Sequence, residues 1–340
     1  MQPRKLDLLI ATYPYGGNGG VSSEHPDVRN WLLGLMPILN QDERIGRVSV
    51  LDTADTPITM TRNRSVLQAR KGGYDLLLMV DSDMRPDCLA GTPGAVPFWD
   101  AAFEFIYSRY ERGPNMVAAP YTGPPPNSCV YVFKWGNKED GDNAVDEMDI
   151  QLEQYTREES VNLAGIQEAA ALPTGLCLWD MRLFDITEPS KLTHAEVLNK
   201  YKNGELSERE ALRCLQQGWF YYEWTDGYAQ QKGSTEDVTA TRDASLLGIA
   251  ALGYNPIHCA WSSWAGHWKP KCCSKPVLLT ADCVSKRFVT ASDRLASHQK
   301  FIDQRSPIAL EIDWAQATRP HPNGDHKEQE HAAASTDDTP

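Results

Sequence analysis

The sequence has no apolar stretch long enough to span a membrane, no Cys-x-x-Cys pair, no Gly-x-Gly-x-x-Gly fingerprint and no Walker loop. Each absence excludes a class. A spanning helix needs about 20 apolar residues. The opening Met1–Ile10 is a charged start that runs straight into a strand rather than a leader, so a soluble, intracellular protein is expected. Of eight cysteines only Cys272 and Cys273 are close neighbours, which gives a structural zinc site or a disulfide framework little support. A set drawn from His258, Cys259, His267, Cys272, Cys273 and Cys283 departs from the ligand spacings of known zinc sites. The glycine-rich loop Tyr13–Gly20 is therefore not read as a dinucleotide or P-loop site.

Positive charge is also scarce: 33 Lys and Arg stand against 46 Asp and Glu, net -13. That balance argues against a phosphate-backbone partner. Its distribution is uneven. Residues 136–160 carry two basic and nine acidic residues, and 319–340 carry two and five, whereas 267–305 carry eight basic and three acidic. A locally positive face is compatible with that last count, although a charge run is more often a solvated surface.

What is present centres on Tyr74–Asp87. Leu76–Val80 is a continuous apolar run of the kind a strand covered on both faces requires. Asp81 and Asp83 follow at its carboxyl end, where ligands bind in open α/β sheets. Hard oxygen donors there suit Mg2+ or Mn2+ shared with a diphosphate, and equally an ordinary turn cap. Around it the pattern predicts strands at Leu6–Thr12, Arg47–Leu51, Met116–Tyr121, Val130–Trp135 and Tyr254–Ala260. Helices are predicted at His25–Leu39, Ile58–Lys71, Pro97–Tyr110 and from Thr235. The second of these is expected to start at Thr61, with Arg62, Asn63 and Arg64 in its first turn, a conflict with the helix dipole that a nearby phosphate would resolve. The last is expected to bury Val238, Ala244, Leu247 and Ile249. Two short helices lie between Glu188 and Gln217, with a capping box at Ser207 and Glu210. Past Trp314 the composition is that of a disordered segment.

The glycine-rich loop, the Arg-Asn-Arg helix, Asp81-Ser82-Asp83, the Pro173-Thr-Gly-Leu176 loop, the Glu236-Asp237 helix start and the late His267 together resemble the GT-A fold glycosyltransferases over roughly residues 6–270. The resemblance implies an α/β, Rossmann-like, mostly parallel sheet in one domain over 1–318. Residues 136–160 would be an acidic flap, 188–218 a helical insertion and 319–340 a disordered acidic tail. It implies a donor nucleotide-diphosphate sugar, UDP favoured, with Mn2+ or Mg2+. Asp83 would bind the metal, Asp81 would touch metal or ribose beside Ser82, and His267 would complete the coordination, with His258 as the fallback. Thr12, Tyr13 and Pro14 would flank the base, Arg64 would approach the diphosphate, and Gly175 would leave room for sugar or acceptor. Asp237, or Glu236 beside it, would face the acceptor hydroxyl.

Short chains of this kind look similar to phage-encoded glycosyltransferases that decorate hydroxymethylated DNA bases, which would place the protein in a host cytoplasm. The basic 267–305 segment and the tryptophans at 219, 224, 261, 264 and 268 would fit 5-hydroxymethylcytosine as acceptor. A glycan or cell-surface polysaccharide acceptor, and a non-catalytic nucleotide-sugar or DNA binding module, are the alternatives. A nucleotidyltransferase shares the architecture but lacks its Gly-rich Arg-Leu signature here.

Overall fold

The computed structural model describes residues 4–16, 22–53, 57–123, 129–136, 152–207, 210–211, 214–215, 218–224, 232–268 and 272–273. All of them belong to one compact unit. The glycines at 17–20, the acidic run 137–151, the basic segment from 274 and the acidic tail lie outside the described residues.

Seven strands build the central sheet: β1 (Leu6–Tyr13), β2 (Ile45–Asp52), β3 (Leu76–Asp81), β4 (Met116–Ala118), β5 (Ile166–Glu168), β6 (Leu176–Asp180) and β7 (Ile257–Ala260). Their order is β5-β7-β4-β6-β3-β1-β2. β1 runs parallel to β2 and β3, and β7 parallel to β4, while β6 is antiparallel to β3 and β4 and β5 is antiparallel to β7. Five strands thus share one direction, flanked by helices α1 (Pro26–Gln41), α2 (Ile58–Gly72), α3 (Phe98–Arg109) and α4 (Glu236–Leu252). This is a Rossmann-like α/β architecture with a mostly parallel central sheet. The chain leaves β1 for the edge strand β2 and returns through α2 to β3 on the other side of β1, so a switch point opens between β1 and β3 at their carboxyl ends.

The apolar run of β3 is explained by two cores. Leu77 and Met79 pack with Val66 and Ala69 of α2 and with Trp179, while Leu76, Leu78 and Val80 pack with Val28, Leu32, Phe98 and Phe103 of α1 and α3.

Three expectations are corrected. α2 begins at Ile58 after Pro57, a residue whose fixed φ suits a helix entrance, so Arg62–Arg64 stand in the second turn and not at a dipole end. α4 buries Thr239, Ala240, Thr241, Ala244, Ser245 and Gly248 rather than an aliphatic stripe, and Ile249 is exposed. Small residues let this helix approach the core closely, where the Thr241 hydroxyl accepts from the Leu172 amide at 2.9 Å. Trp219, Trp261 and Trp264 are buried in the core and offer no stacking face.

The two insertions are described in part. Leu152–Gln154 pairs with Phe133–Trp135, and Thr156 caps the short helix Arg157–Ser160. His194–Lys202 is helical behind a Thr193/Glu196 capping box, and Ser207 and Glu210 make the expected reciprocal contacts.

The close approach of α4 makes Gly248 a sensitive position. A Cβ there would lie 2.4 Å from Cγ and 2.5 Å from Cδ of Pro256, a rigid ring, whereas a Cβ at the exposed Gly34 of α1 meets nothing within 4 Å. Gly248→Ala is expected to cost about 1–3 kcal/mol in urea unfolding. Gly34→Ala is expected to stabilise by about 0.5–1 kcal/mol, because it removes backbone freedom from the unfolded chain at no steric cost.

Candidate active site

The switch point between β1 and β3 carries an unusual buried charge. Arg62 leaves the second turn of α2 on the same face as Ser65, Val66 and Ala69 and is 3% exposed. Its Nη2 donates to both oxygens of Asp81 at 2.9 and 3.0 Å, and its Nη1 donates to Oε1 of Glu236 at 2.8 Å. Burial opposes the charge, but Asp81 and then Glu236 hold the guanidinium well above its ordinary value. Burial pushes both partner carboxyls up, with Arg62 opposing in each case and Asp237 adding to the rise at Glu236. Removing one member of such a set strands the others in a low-dielectric interior.

Two residues beyond Asp81 the chain turns into Met84–Arg85, which pairs with Gly266–Trp268. That pairing brings His267 back across the sheet, and its Nε2 lies 3.2 Å from Oδ2 of Asp83. The Trp268 amide donates to the Asp83 carbonyl at 2.8 Å, and the Tyr121 ring meets His267 edge-on at 4.9 Å. His267 Nδ1 is buried with no hydrogen-bond partner among the described residues.

On the other side stands the amino end of α4. Asp237 accepts from the Val238 amide at 2.9 Å and from the Thr235 hydroxyl through the same oxygen. A carboxylate is favoured in that first turn. Asp81, Asp83, Glu236, Asp237 and His267 all face one cleft of about 400 Å³, walled by Tyr121, Tyr131 and Phe133. Burial, and after it Asp237, keeps the Tyr121 phenol well above its ordinary value, so it stands as a neutral donor.

The two acidic candidates at the start of α4 therefore differ. Glu236 is 7% exposed and spent on Arg62, whereas Asp237 is half-buried and, among the described residues, accepts from the turn that holds it. Other sequence expectations are also redistributed. Arg64 is exposed, because two residues on a helix turn a side chain by about 200°. The arginine of the site is Arg62, and its signal was present in the i, i+3, i+4, i+7 spacing with Ser65, Val66 and Ala69. Tyr13 is buried with its hydroxyl donating to Ser65 at 3.2 Å and offers no face to a base. Thr12, next to last in β1, has its hydroxyl donating to Asp52, an exposed carboxylate at the end of β2 that the sequence did not single out, and Pro14 just beyond β1 is buried. Ser82 is half-buried, and its carbonyl accepts from His25 at 2.8 Å.

A Cβ on Gly175 would come within 2.8 Å of the Tyr121 hydroxyl and 3.0 Å of Met84 Sδ, so the space at this glycine holds the cleft wall. His258 belongs elsewhere, in a hollow with Phe105, Arg109 and Arg112, where burial lowers its pKa to about 4. Trp268 borders the site region, stacked on His25 at 4.5 Å and donating to Asp27 at 3.0 Å.

Among the described residues no group of three or more His, Cys, Asp or Glu is arranged to hold a metal. Asp83 and His267 supply one hard oxygen and one imidazole. That set is too small for a dedicated cage, but it fits an ion that completes its coordination with water and substrate phosphate, as Mg2+ does.

No protein-family profile matches the sequence, and no curated protein does. Among solved structures, A197 from STIV is similar at 10% identity and a TM-score of 0.38, over 81% of this chain and 97% of its own. HddC from Yersinia pseudotuberculosis, crystallised in complex with GMP-PN, is similar at 10% identity and a TM-score of 0.23, over 52% and 78%. Similarities this distant carry no functional inference.

The buried set makes a prediction that separates the two arginines. Arg62→Met leaves Asp81 and Glu236 without their cation and is expected to cost about 3–5 kcal/mol; Arg64→Ala is expected to stay within about 0.5 kcal/mol. Without Arg62 both carboxyls rise further above their unfolded values, so the folded variant holds protons that the unfolded chain releases. The stability deficit against wild type should be small at acidic pH and grow as pH rises through the raised values. Urea unfolding of both variants across pH checks it, and a deficit independent of pH contradicts the assignment.

Proposed function

We propose that this protein is a metal-dependent glycosyltransferase that moves a sugar from a nucleotide-diphosphate donor to an acceptor hydroxyl. One observation carries the reading: the Asp83–His267 pair and the Asp237 carboxylate face a single cleft at the carboxyl end of the switch point. Asp83 and His267 would hold a Mn2+ or Mg2+ ion, whose charge offsets that developing on the leaving diphosphate. The nucleoside would lie toward Thr12 and Asp52, at the carboxyl ends of β1 and β2, with a UDP-sugar the first donor to try.

Asp237 would orient or deprotonate the attacking hydroxyl. As the base of an inverting reaction it takes the proton, and in a retaining one it positions the acceptor. Arg62 pairs with Asp81 and Glu236 and fixes them beneath the reacting groups, so the floor of the cleft would need no rearrangement when charge develops. Tyr121 would donate from the wall as a neutral phenol.

Hydroxymethylcytosine in DNA has less support as acceptor than the sequence alone suggests. Three of the five tryptophans expected to stack on a base are core residues, and most of the basic segment lies outside the described residues.

Release of sugar from a panel of nucleotide sugars with Mn2+ or Mg2+ tests the reading. Asp83→Ala is expected to lose at least about 100-fold of the metal-dependent rate, and Asp237→Asn about 100- to 10,000-fold of transfer to an acceptor, the range of general-base catalysis. No turnover with any donor and either metal would sink the transferase in favour of a binding module.

A further inference from the structure

One side of the cleft continues past the catalytic groups. The strand Phe133–Trp135 pairs antiparallel with Leu152–Gln154, with Phe133 opposite Gln154, Lys134 opposite Glu153 and Trp135 opposite Leu152. Side chains alternate across a strand, so Phe133 and Trp135 fall on one face while Lys134 falls on the other. Tyr131, Phe133 and Gln154 line the cleft. By the same alternation Trp135 extends that face outward, about 7 Å per pair of residues. All three aromatics are half-exposed, whereas Val132 is fully buried. Lys134 is held on the opposite face by Glu159 at 2.6 Å and Glu153 at 3.6 Å.

We propose that this Tyr131-Phe133-Trp135 ladder is the acceptor subsite and that the acceptor is a neutral glycan of more than one ring, not a nucleic acid. The proposal rests on the transferase reading and names its acceptor. Two arguments carry it. The negative faces of aromatic rings attract the weakly positive C–H face of a sugar ring, and a side-chain amide such as Gln154 serves hydroxyl groups as donor and acceptor at once. Successive aromatics along one strand offer successive rings a place. The charge around the ladder then decides between a sugar and a base. Its inner end meets Asp83, Glu236 and Asp237, and the one buried cation there, Arg62, is committed to Asp81 and Glu236. Lys134, the basic residue of the strand itself, points away and is paired. A polyphosphate backbone entering this cleft would find carboxylates and no free cation among the described residues, whereas a neutral glycan carries no such penalty.

The test is binding of the full-length protein, with UDP and Mn2+ present, to an array of neutral, sialylated and sulfated glycans and to single-stranded DNA containing hydroxymethylcytosine. Neutral glycans of two or more rings are expected to bind in preference to the anionic ones and to DNA. Affinity should fall about three- to tenfold in Trp135→Ala and in Phe133→Ala, the range of one aromatic contact. Lys134→Ala, on the opposite face, should bind as wild type does, and circular dichroism confirms that each variant is folded. Preference for DNA, binding indifferent to both aromatic substitutions, or no glycan bound would each overturn the proposal. Donor hydrolysis without acceptor, measured on wild type alone, reports separately on the transferase reading, so the two fail distinguishably.

Discussion

The structure depends on one buried guanidinium. Arg62 is almost fully excluded from water and lies between a carboxylate at the end of β3 and another at the start of α4. Neither acid would remain charged there alone, because burial drives both toward the neutral form. The pairing fixes three elements to one another: α2, which supplies the cation, β3, which supplies Asp81, and α4, which supplies Glu236. Such a set adds less net stability than an apolar plug would, and its value lies in geometry. The amino end of α4, and Asp237 with it, is held over the carboxyl end of β3.

Around that hub the fold uses small residues where elements must come close. The Thr, Ala, Ser and Gly face of α4 lets a long helix lie against the sheet without bulky side chains between them. Gly175 does the same for Tyr121, whose hydroxyl and ring occupy the space a side chain would take. Tyr121 in turn supports His267 edge-on, which leaves the imidazole facing Asp83. The cleft is thus shaped from behind by packing, and its polar groups sit on a rigid backing, as preorganised sites require.

The charges divide into two groups by partner. Arg62, Asp81 and Glu236 are bound to one another, and they set the field of the cleft floor. Asp83 lies against His267, and Asp237 is held by its own turn. This division separates the residues that build the site from those placed to meet a ligand, a distinction that residue type alone does not make. Glu236 and Asp237 are adjacent acids in one helical turn and both line the cleft, yet the first is committed to Arg62 and the second is held by its own turn.

The sequence by itself determined the sheet's main elements. The β3 run, the helices α1, α3 and α4 and the Asp81–Asp83 strand end were legible, because burial on both faces, helical spacing and strand ends leave local patterns. It did not determine which arginine serves the site. The start of α2 at Pro57 rather than Thr61 moves Arg62 and Arg64 along the helix, and a half-turn separates a buried ion from an exposed one. Nor did it show that Tyr13, Trp219, Trp261 and Trp264 are core, since an aromatic in a loop reads alike whether it packs or waits for a ligand. Only the tertiary structure decided these, because direction is set by what lies opposite. The facing partner of Arg62 is 174 residues away at Glu236, and that of Asp83 is 184 residues away at His267, separations over which no local spacing carries information.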